Sequence, residues 1–281
     1  MPLNTLRTAP WSLVVPLKPL LLAKSRLAPF VGDALRPGLA LAFAQDTVAA
    51  ALACPAVRDV VVVTDDASAG AALATLGARI VADTPGAGLN AALTHGARTI
   101  RALRPGAAVA ALNADLPALR PAELQQVLDY AAVFPRAFLA DAAGIGTTLL
   151  SAAPGAELAP SFGGPSRARH SASGAREILL DAVDSVRQDV DTGNDLRAAL
   201  TLGVGPRTAR QSEALGGVRS VSVGEGAGLG ACSCKAEEGG DAMGVPLFER
   251  SRELGGVSDR RQRRRCACQA PRRRGDRPDT P

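Results

Sequence analysis

Aromatic side chains are scarce in this chain: they make up 3% of its 281 residues, with one Trp and one Tyr, and His occurs only twice. So few rings provide no stacking platform for single-stranded nucleic acid, and so few imidazoles leave zinc short of its usual nitrogen donors. Long apolar runs are missing as well. Stretches such as LALAFA and TVAAALAC stop well short of the ~20 residues that a membrane span requires. The N-terminal segment MPLNTLRTAPWSLVVPLKPLLLAKSR has two short apolar runs split by Pro16, Lys18 and Pro19, which is not the pattern of a signal peptide. A cytoplasmic location is expected. Of the five Cys, Cys54 is expected to be buried in a helix. The pairs in CSC (232–234) and CAC (266–268) are each separated by one residue, whereas structural zinc sites use two to four, so zinc is not expected.

What is abundant is Ala, Gly, Arg and Pro, a bias that a GC-rich coding sequence could produce by itself, so alanine richness is not taken as a helix signal. An apolar content of 47% is enough to fill a core in one large α/β domain or two small ones. The net charge of +5 is uneven. Residues 1–211 hold 19 Lys and Arg against 17 Asp and Glu, residues 212–281 hold 13 against 10, and nine of those 13 are arginines between Arg260 and Arg277. The basic excess therefore belongs to the tail. RRQRRR and PRRRG would attract nucleic acid electrostatically, but no aromatic platform or recognisable module accompanies them. A nucleic-acid partner is not expected, and an appended or frame-altered extension explains the tail equally well.

The chain divides near residue 211. Up to that point short β-branched runs alternate with helix-like stretches: WSLVVP, GLALAFAQDTVAAALAC, DVVVVT, ASAGAALATLG, ARIVAD, LNAALTHGARTIRALR, AAVAALN, PAELQQVLDYAAVF and AFLAD. Val, Leu and Ala without strict alternation suit parallel strands covered on both faces, and the rhythm is that of a doubly wound sheet. Pro121 with Glu123, and Asp65 with Asp66, carry helix-start chemistry. Beyond 211 no sustained period appears, and 212–281 is expected to be a disordered, low-complexity extension.

In open α/β sheets ligands gather at the carboxyl ends of the strands. Asp115 stands there, directly behind AAVAAL. A second acidic pair, Asp189 and Asp191, alternates in an extended stretch, so both carboxylates can point the same way. Three carboxylates from separate segments suit Mg2+, which keeps several waters and needs few protein ligands. The ordinary alternative makes Asp191 or Asn194 a helix N-cap, with Asp195 complementing the helix dipole. Lys18, Lys24 and Arg26 follow the first strand, where cations can meet a polyphosphate; no G-x-x-x-x-G-K-[ST] or G-x-G-x-x-G accompanies them. GIGTTLL offers Gly144 and Gly146 beside a hydroxyl. FGGPSRARH offers backbone amides, Ser166, Arg167, Arg169 and His170, which together would make an anion nest. Gly163–Gly164–Pro165 is equally readable as a turn, and His170 as a capping or packing residue.

VVPLKPLLLAKSRLAP, LNAALTHG, NADLPAL, GIGTTLL, FGGPSRARH and QDVDTGNDL, in this order and spacing, resemble the phosphoenolpyruvate and 2-phospho-L-lactate guanylyltransferases of coenzyme F-420 biosynthesis. The resemblance covers about residues 10–210. It implies a three-layer α/β/α, Rossmann-like nucleotidyltransferase domain over 10–211, with a mostly parallel sheet. It also implies transfer of GMP from GTP to the phosphate of phosphoenolpyruvate, with 2-phospho-L-lactate or 3-phosphoglycerate as alternative acceptors. By the same resemblance Asp115, Asp189 and Asp191 hold Mg2+, Thr147, Gly163 and Ser166 hold the phospho-acid, and Asn90, Lys24 and Arg26 hold the nucleotide. Asp115, Lys18, Lys24 and Arg26 are the expected catalytic residues, and a partner enzyme is expected to receive the unstable product. A transferase acting on a sugar phosphate or molybdopterin would carry a Gly-rich loop after strand one, which VPLKPLLLAKSR lacks. A binding protein without catalysis would explain the basic tail but not the three acids.

Overall fold

The computed structural model describes residues 10–221; CSC, CAC and the arginine runs lie outside them. Strand β1, Trp11–Pro16, opens the fold and is followed by a loop with two 3-10 turns, Leu20–Leu22 and Ser25–Leu27. Helices α1, Ala28–Val31, and α2, Arg36–Leu52, come next. Cys54 is buried just after α2 rather than within it. The valine run forms β2, Val57–Val63. Helix α3, Ala67–Ala74, starts at Asp66, whose side chain accepts from the Ala69 amide. Then come β3, Arg79–Val81, α4, Leu89–Leu103, β4, Val109–Leu112, and α5, Pro121–Ala131. Pro121 opens α5, where its missing N–H costs no helical hydrogen bond. Strands β5, Arg136–Ala140, and β6, Thr147–Ala152, form a hairpin. After them come α6, Ser166–Ala172, β7, Arg176–Glu177, α7, Asp184–Arg187, α8, Gly193–Leu202, and α9, Pro206–Val221.

The seven strands make one sheet in the order β3-β2-β1-β4-β6-β5-β7. The pairs β1–β2, β1–β4, β2–β3 and β5–β7 are parallel, while β6 runs antiparallel to both β4 and β5. The expected mostly parallel, doubly wound sheet is present, and the chain reverses its direction of growth between β1 and β4. The antiparallel β6 was not among the alternating elements of the sequence. TTLLSA follows β5 by a short turn, and a hairpin is the only pairing so short a connection allows.

Alternate strand residues feed two cores, one on each face. Leu13, Val15, Val60 and Val62 pack with Ala44 and Val48 of α2 and Leu124 of α5, whereas Val14, Val61 and Val63 pack with Ala92, Leu93 and Ile100 of α4. Helix α4 lies close to the sheet at Gly96: a Cβ there would come within 2.5 Å of Val14 and 2.8 Å of Val63. Among the described residues no single helix is long and apolar enough to cross a membrane. Helix α9 runs through position 211. Its first turn is held by the buried Asp46 of α2, which accepts from the amides of Thr208 at 2.7 Å and Arg207 at 3.3 Å.

Candidate active site

A small third core draws the site segments together. Leu27 from the loop after β1, Ala118 from the segment after β4, and Val190 pack with Leu39 and Phe43 of α2 and Leu196 of α8. Each of these apolar residues lies within three positions of a charged one. Val190 is buried, and its neighbours Asp189 and Asp191 lie close enough to interact electrostatically with each other, and Asp189 with Asp115. The cap of α8 is Thr192, which forms a capping box with Asp195. Asp191 and Asn194 are therefore not the N-cap, and Asp191 is left for other work.

Lys24 donates to Asp115 and, at 2.7 Å, to Asp191. Burial lowers the pKa of this ammonium, but the two carboxylates outweigh it and hold the group charged, above its usual range. Lys24 has a left-handed backbone, φ 57°, an uncommon conformation for a residue with a side chain, and the two ion pairs offset its strain. Arg26 is exposed and reaches Asp191 at 3.9 Å. Burial raises the pKa of Asp191, yet Lys24, Arg26 and Lys18 bring it below the ordinary carboxylate value. Asp189 goes the other way: burial first, then Asp115 and Asp191, push it well above the usual range, opposed by Lys24. Asn113 donates to it at 3.5 Å. One oxygen of Asp115, Oδ1, is buried without a hydrogen-bond partner among the described residues.

A second group of residues surrounds the loop 160–166. Because β6 is antiparallel to β4, with Leu112 opposite Leu149 and the Asn113 amide donating to Thr148 O at 3.0 Å, Thr147 comes to the sheet edge that carries Asp115. Gly163 and Gly164 have φ of 93° and 47°, a pair of left-handed conformations that glycine adopts without strain. Arg169 donates to the carbonyls of Ser161 and Gly163, and no acceptor takes the amides of Gly163 and Gly164 among the described residues. Ser166, at the first position of α6, is buried. Asn90 uses both ends of its side-chain amide on Phe162, donating to its carbonyl at 3.2 Å and accepting from its N–H at 2.8 Å.

The structure thus brings Asp115, Asp189, Asp191, Lys24 and Arg26 to one point, with Lys18 exposed but within electrostatic reach of Asp191. Asn90 is tied to the backbone of Phe162. Several contributors were not singled out in the sequence. Asn113 sits in the same NADLPAL motif as Asp115. Arg36 holds the basic loop by donating to Leu21 O at 3.0 Å and to Ala23 O. Asp66, legible only as a helix cap, also accepts from the Leu20 amide at 2.9 Å. An open cavity of about 350 Å³ at the carboxyl ends of β2 and β3 is lined by Thr64, Asp65, Asp66, Gly70 and Ile80.

Acids and cations gathered at the carboxyl ends of a mostly parallel sheet stand where open α/β folds bind their ligands. The same fold occurs in a solved chain from Desulfovibrio desulfuricans described as a nucleotide-diphospho-sugar transferase, at a TM-score of 0.54 over 75% of this chain and 98% of that one, with 17% identity. The chain belongs to the family described as Guanylyl transferase CofC like, which it matches over residues 11–220. Proteins named phosphoenolpyruvate guanylyltransferase from Streptomyces coelicolor and Streptomyces avermitilis are 75% and 73% identical to it over 199 residues. These alignments cover 71% of this chain and 94% and 92% of theirs.

Proposed function

We propose that this enzyme transfers GMP from GTP to the phosphate of phosphoenolpyruvate in the cytoplasm, releasing pyrophosphate, as a step toward coenzyme F-420. The observation that carries this reading is 75% identity over 94% of a relative with that name. The chemistry of the site agrees with it. Phosphoenolpyruvate carries a carboxylate and a phosphate, and the segment of Gly163, Gly164 and Ser166 offers two amides with no protein acceptor and a hydroxyl. An acceptor phosphate is already an anion at neutral pH, so no general base is required. One of its oxygens attacks the α-phosphorus of GTP in line, a new P–O bond forms, and the bond to the β-phosphate breaks as pyrophosphate leaves.

In this division Thr147, Gly163 and Ser166 grip the acceptor, while Lys18, Lys24 and Arg26 lie along the triphosphate. Asn90 shapes the pocket by fixing Phe162. The cavity beside Asp65 and Asp66 gives the nucleoside room. Asp115, Asp189 and Asp191 fit a divalent cation such as Mg2+, because carboxylate oxygens are the donors such an ion takes and Oδ1 of Asp115 is buried without a hydrogen-bond partner among the described residues. Among the described residues no three such side chains stand in ligating geometry, and the Lys24 ammonium bridges Asp115 and Asp191. When bound, the ion would neutralise phosphate charge as it moves to the leaving group.

Incubation with GTP, Mg2+ and phosphoenolpyruvate, with and without an enzyme that accepts the product directly, followed by mass spectrometry, tests the proposal. Pyrophosphate and the mixed anhydride of GMP and phosphoenolpyruvate are expected. Product from 2-phospho-L-lactate or 3-phosphoglycerate but none from phosphoenolpyruvate would overturn it.

A further inference from the structure

His170, in the last turn of α6, is fully buried, with the rings of Phe138 and Phe162 centred 5.8 and 5.1 Å from its own. Both of its nitrogens are engaged. The Ser161 amide donates to Nε2 at 3.0 Å. An amide N–H can only donate, so Nε2 holds a lone pair and a neutral ring carries its hydrogen on Nδ1. Nδ1 stands 3.0 Å from Thr147 Oγ1 and therefore donates to it. The hydroxyl of Thr147 keeps its own hydrogen, for which no acceptor exists among the described residues. Burial, together with Arg136 and Arg169, lowers the pKa of His170 to about 4, which keeps the ring neutral.

We infer that His170 is a positioning residue for the acceptor: it fixes the Thr147 hydroxyl as a hydrogen-bond donor and ties it, through Ser161, to the loop that carries the free amides of Gly163 and Gly164. The inference rests on the proposed assignment of Thr147 and Gly163 to the phospho-acid. One imidazole thus links two pieces of the acceptor site that come from different elements, β6 and the loop before α6. A hydroxyl committed to donate selects a ligand that presents an oxygen with lone pairs and no hydrogen, such as a carboxylate or a phosphate. Neither Phe138 nor Phe162 can replace the ring's two-sided hydrogen bonding, since each offers only apolar surface.

Nitrogen-15 NMR of the labelled full-length enzyme tests the tautomer directly. Hydrogen on Nδ1 is expected, and hydrogen on Nε2 would overturn the inference without any substitution. Steady-state kinetics with GTP and phosphoenolpyruvate tests the consequence. His170→Phe is expected to raise the KM for phosphoenolpyruvate about ten-fold or more and leave that for GTP within about two-fold. His170→Asn, whose amide N–H can stand in for Nδ1, should recover part of the loss. Thr147→Val should cause a loss of similar size, and the double variant should be no worse than the more impaired single one. If Thr147→Val leaves the KM for phosphoenolpyruvate unchanged, the acceptor assignment itself fails. If Thr147→Val impairs the acceptor while His170→Phe does not, or if the two losses multiply, the assignment stands and the role given to His170 is wrong. Should His170→Phe fail to fold, the tautomer and the His170→Asn variant decide.

Discussion

The amide of Val190 donates to the carbonyl oxygen of Asp115 at 3.1 Å. The two acidic segments are therefore joined by main chain, and their carboxylates can change charge without releasing the frame that holds them.

Asp115→Asn and Asp191→Asn are accordingly expected to fold normally and to lose turnover by about a hundred-fold or more, since charge stabilisation of this kind is commonly worth several kcal/mol. Pyrophosphate release at saturating Mg2+, with circular dichroism as the check on folding, measures this. Near-normal turnover in Asp115→Asn would mean that the site lies elsewhere.

Acceptor and nucleotide are assigned to different segments, so their affinities should separate. Ser166→Ala removes one hydrogen bond to an anion, worth roughly 1.5–3 kcal/mol, and should weaken phosphoenolpyruvate about ten- to a hundred-fold while sparing GTP. Lys24→Ala should weaken GTP instead. Calorimetric titration of each variant with each substrate distinguishes the two, and a Ser166→Ala protein that loses GTP alone would move FGGPSRARH into the nucleotide pocket.

His170 gives folding stability a pH dependence. Its folded pKa is about 4 against an ordinary 6.5, through burial and then Arg136 and Arg169. Between those values the unfolded chain binds the proton and the folded one does not. Its contribution, on the order of 3 kcal/mol, is therefore complete above about pH 6.5, is lost as pH falls through that value, and levels off near pH 4. Urea unfolding of the wild type and of His170→Phe across this range isolates the His170 part: the stability of the wild type relative to His170→Phe should rise between about pH 4 and 6.5 and be flat above it.

Gly96→Ala puts a methyl against Val14 and Val63, at 2.5 and 2.8 Å from their side chains. Both neighbours belong to the closely packed central strands, so the helix must shift, at a cost of roughly 1–3 kcal/mol. A lower urea midpoint with an unchanged slope is expected, and no change in midpoint would show that α4 has room to move.

A chain ending after Val221 keeps all of α9 and is expected to retain the unfolding midpoint and the guanylyl transfer of the full chain. Ending after Gln211 leaves the helix cut within its second turn, and short helices are marginal. That version should unfold at lower temperature. Equal midpoints for the two truncations would show that α9 beyond 211 adds nothing.

Much of this arrangement was legible in order along the chain. The alternation of valine runs with helical stretches predicted a doubly wound sheet, and Asp115 behind AAVAAL predicted an acid at a strand's carboxyl end. The Asp-Val-Asp alternation predicted two carboxylates on one side, and Val190 between them is buried. These features are local, set by the period of the strand and by the cost of exposing apolar residues, so the amino-acid order alone determines them.

The remaining features depend on contacts between distant residues. Lys24 meets Asp115 and Asp191 across 91 and 167 residues, and no local spacing encodes that the ammonium neutralises carboxylates as well as lying near a phosphate site. Asn90 is bound to Phe162 across 72 residues. The antiparallel direction of β6 puts Thr147 on the edge that carries Asp115, and His170 reaches it across 23 residues. The sequence by itself determined which residues could be charged, hydroxylated or free in backbone at the site. Tertiary structure alone decided their partners, because the pairing of strands and the burial of each polar group depend on what the rest of the chain packs against it.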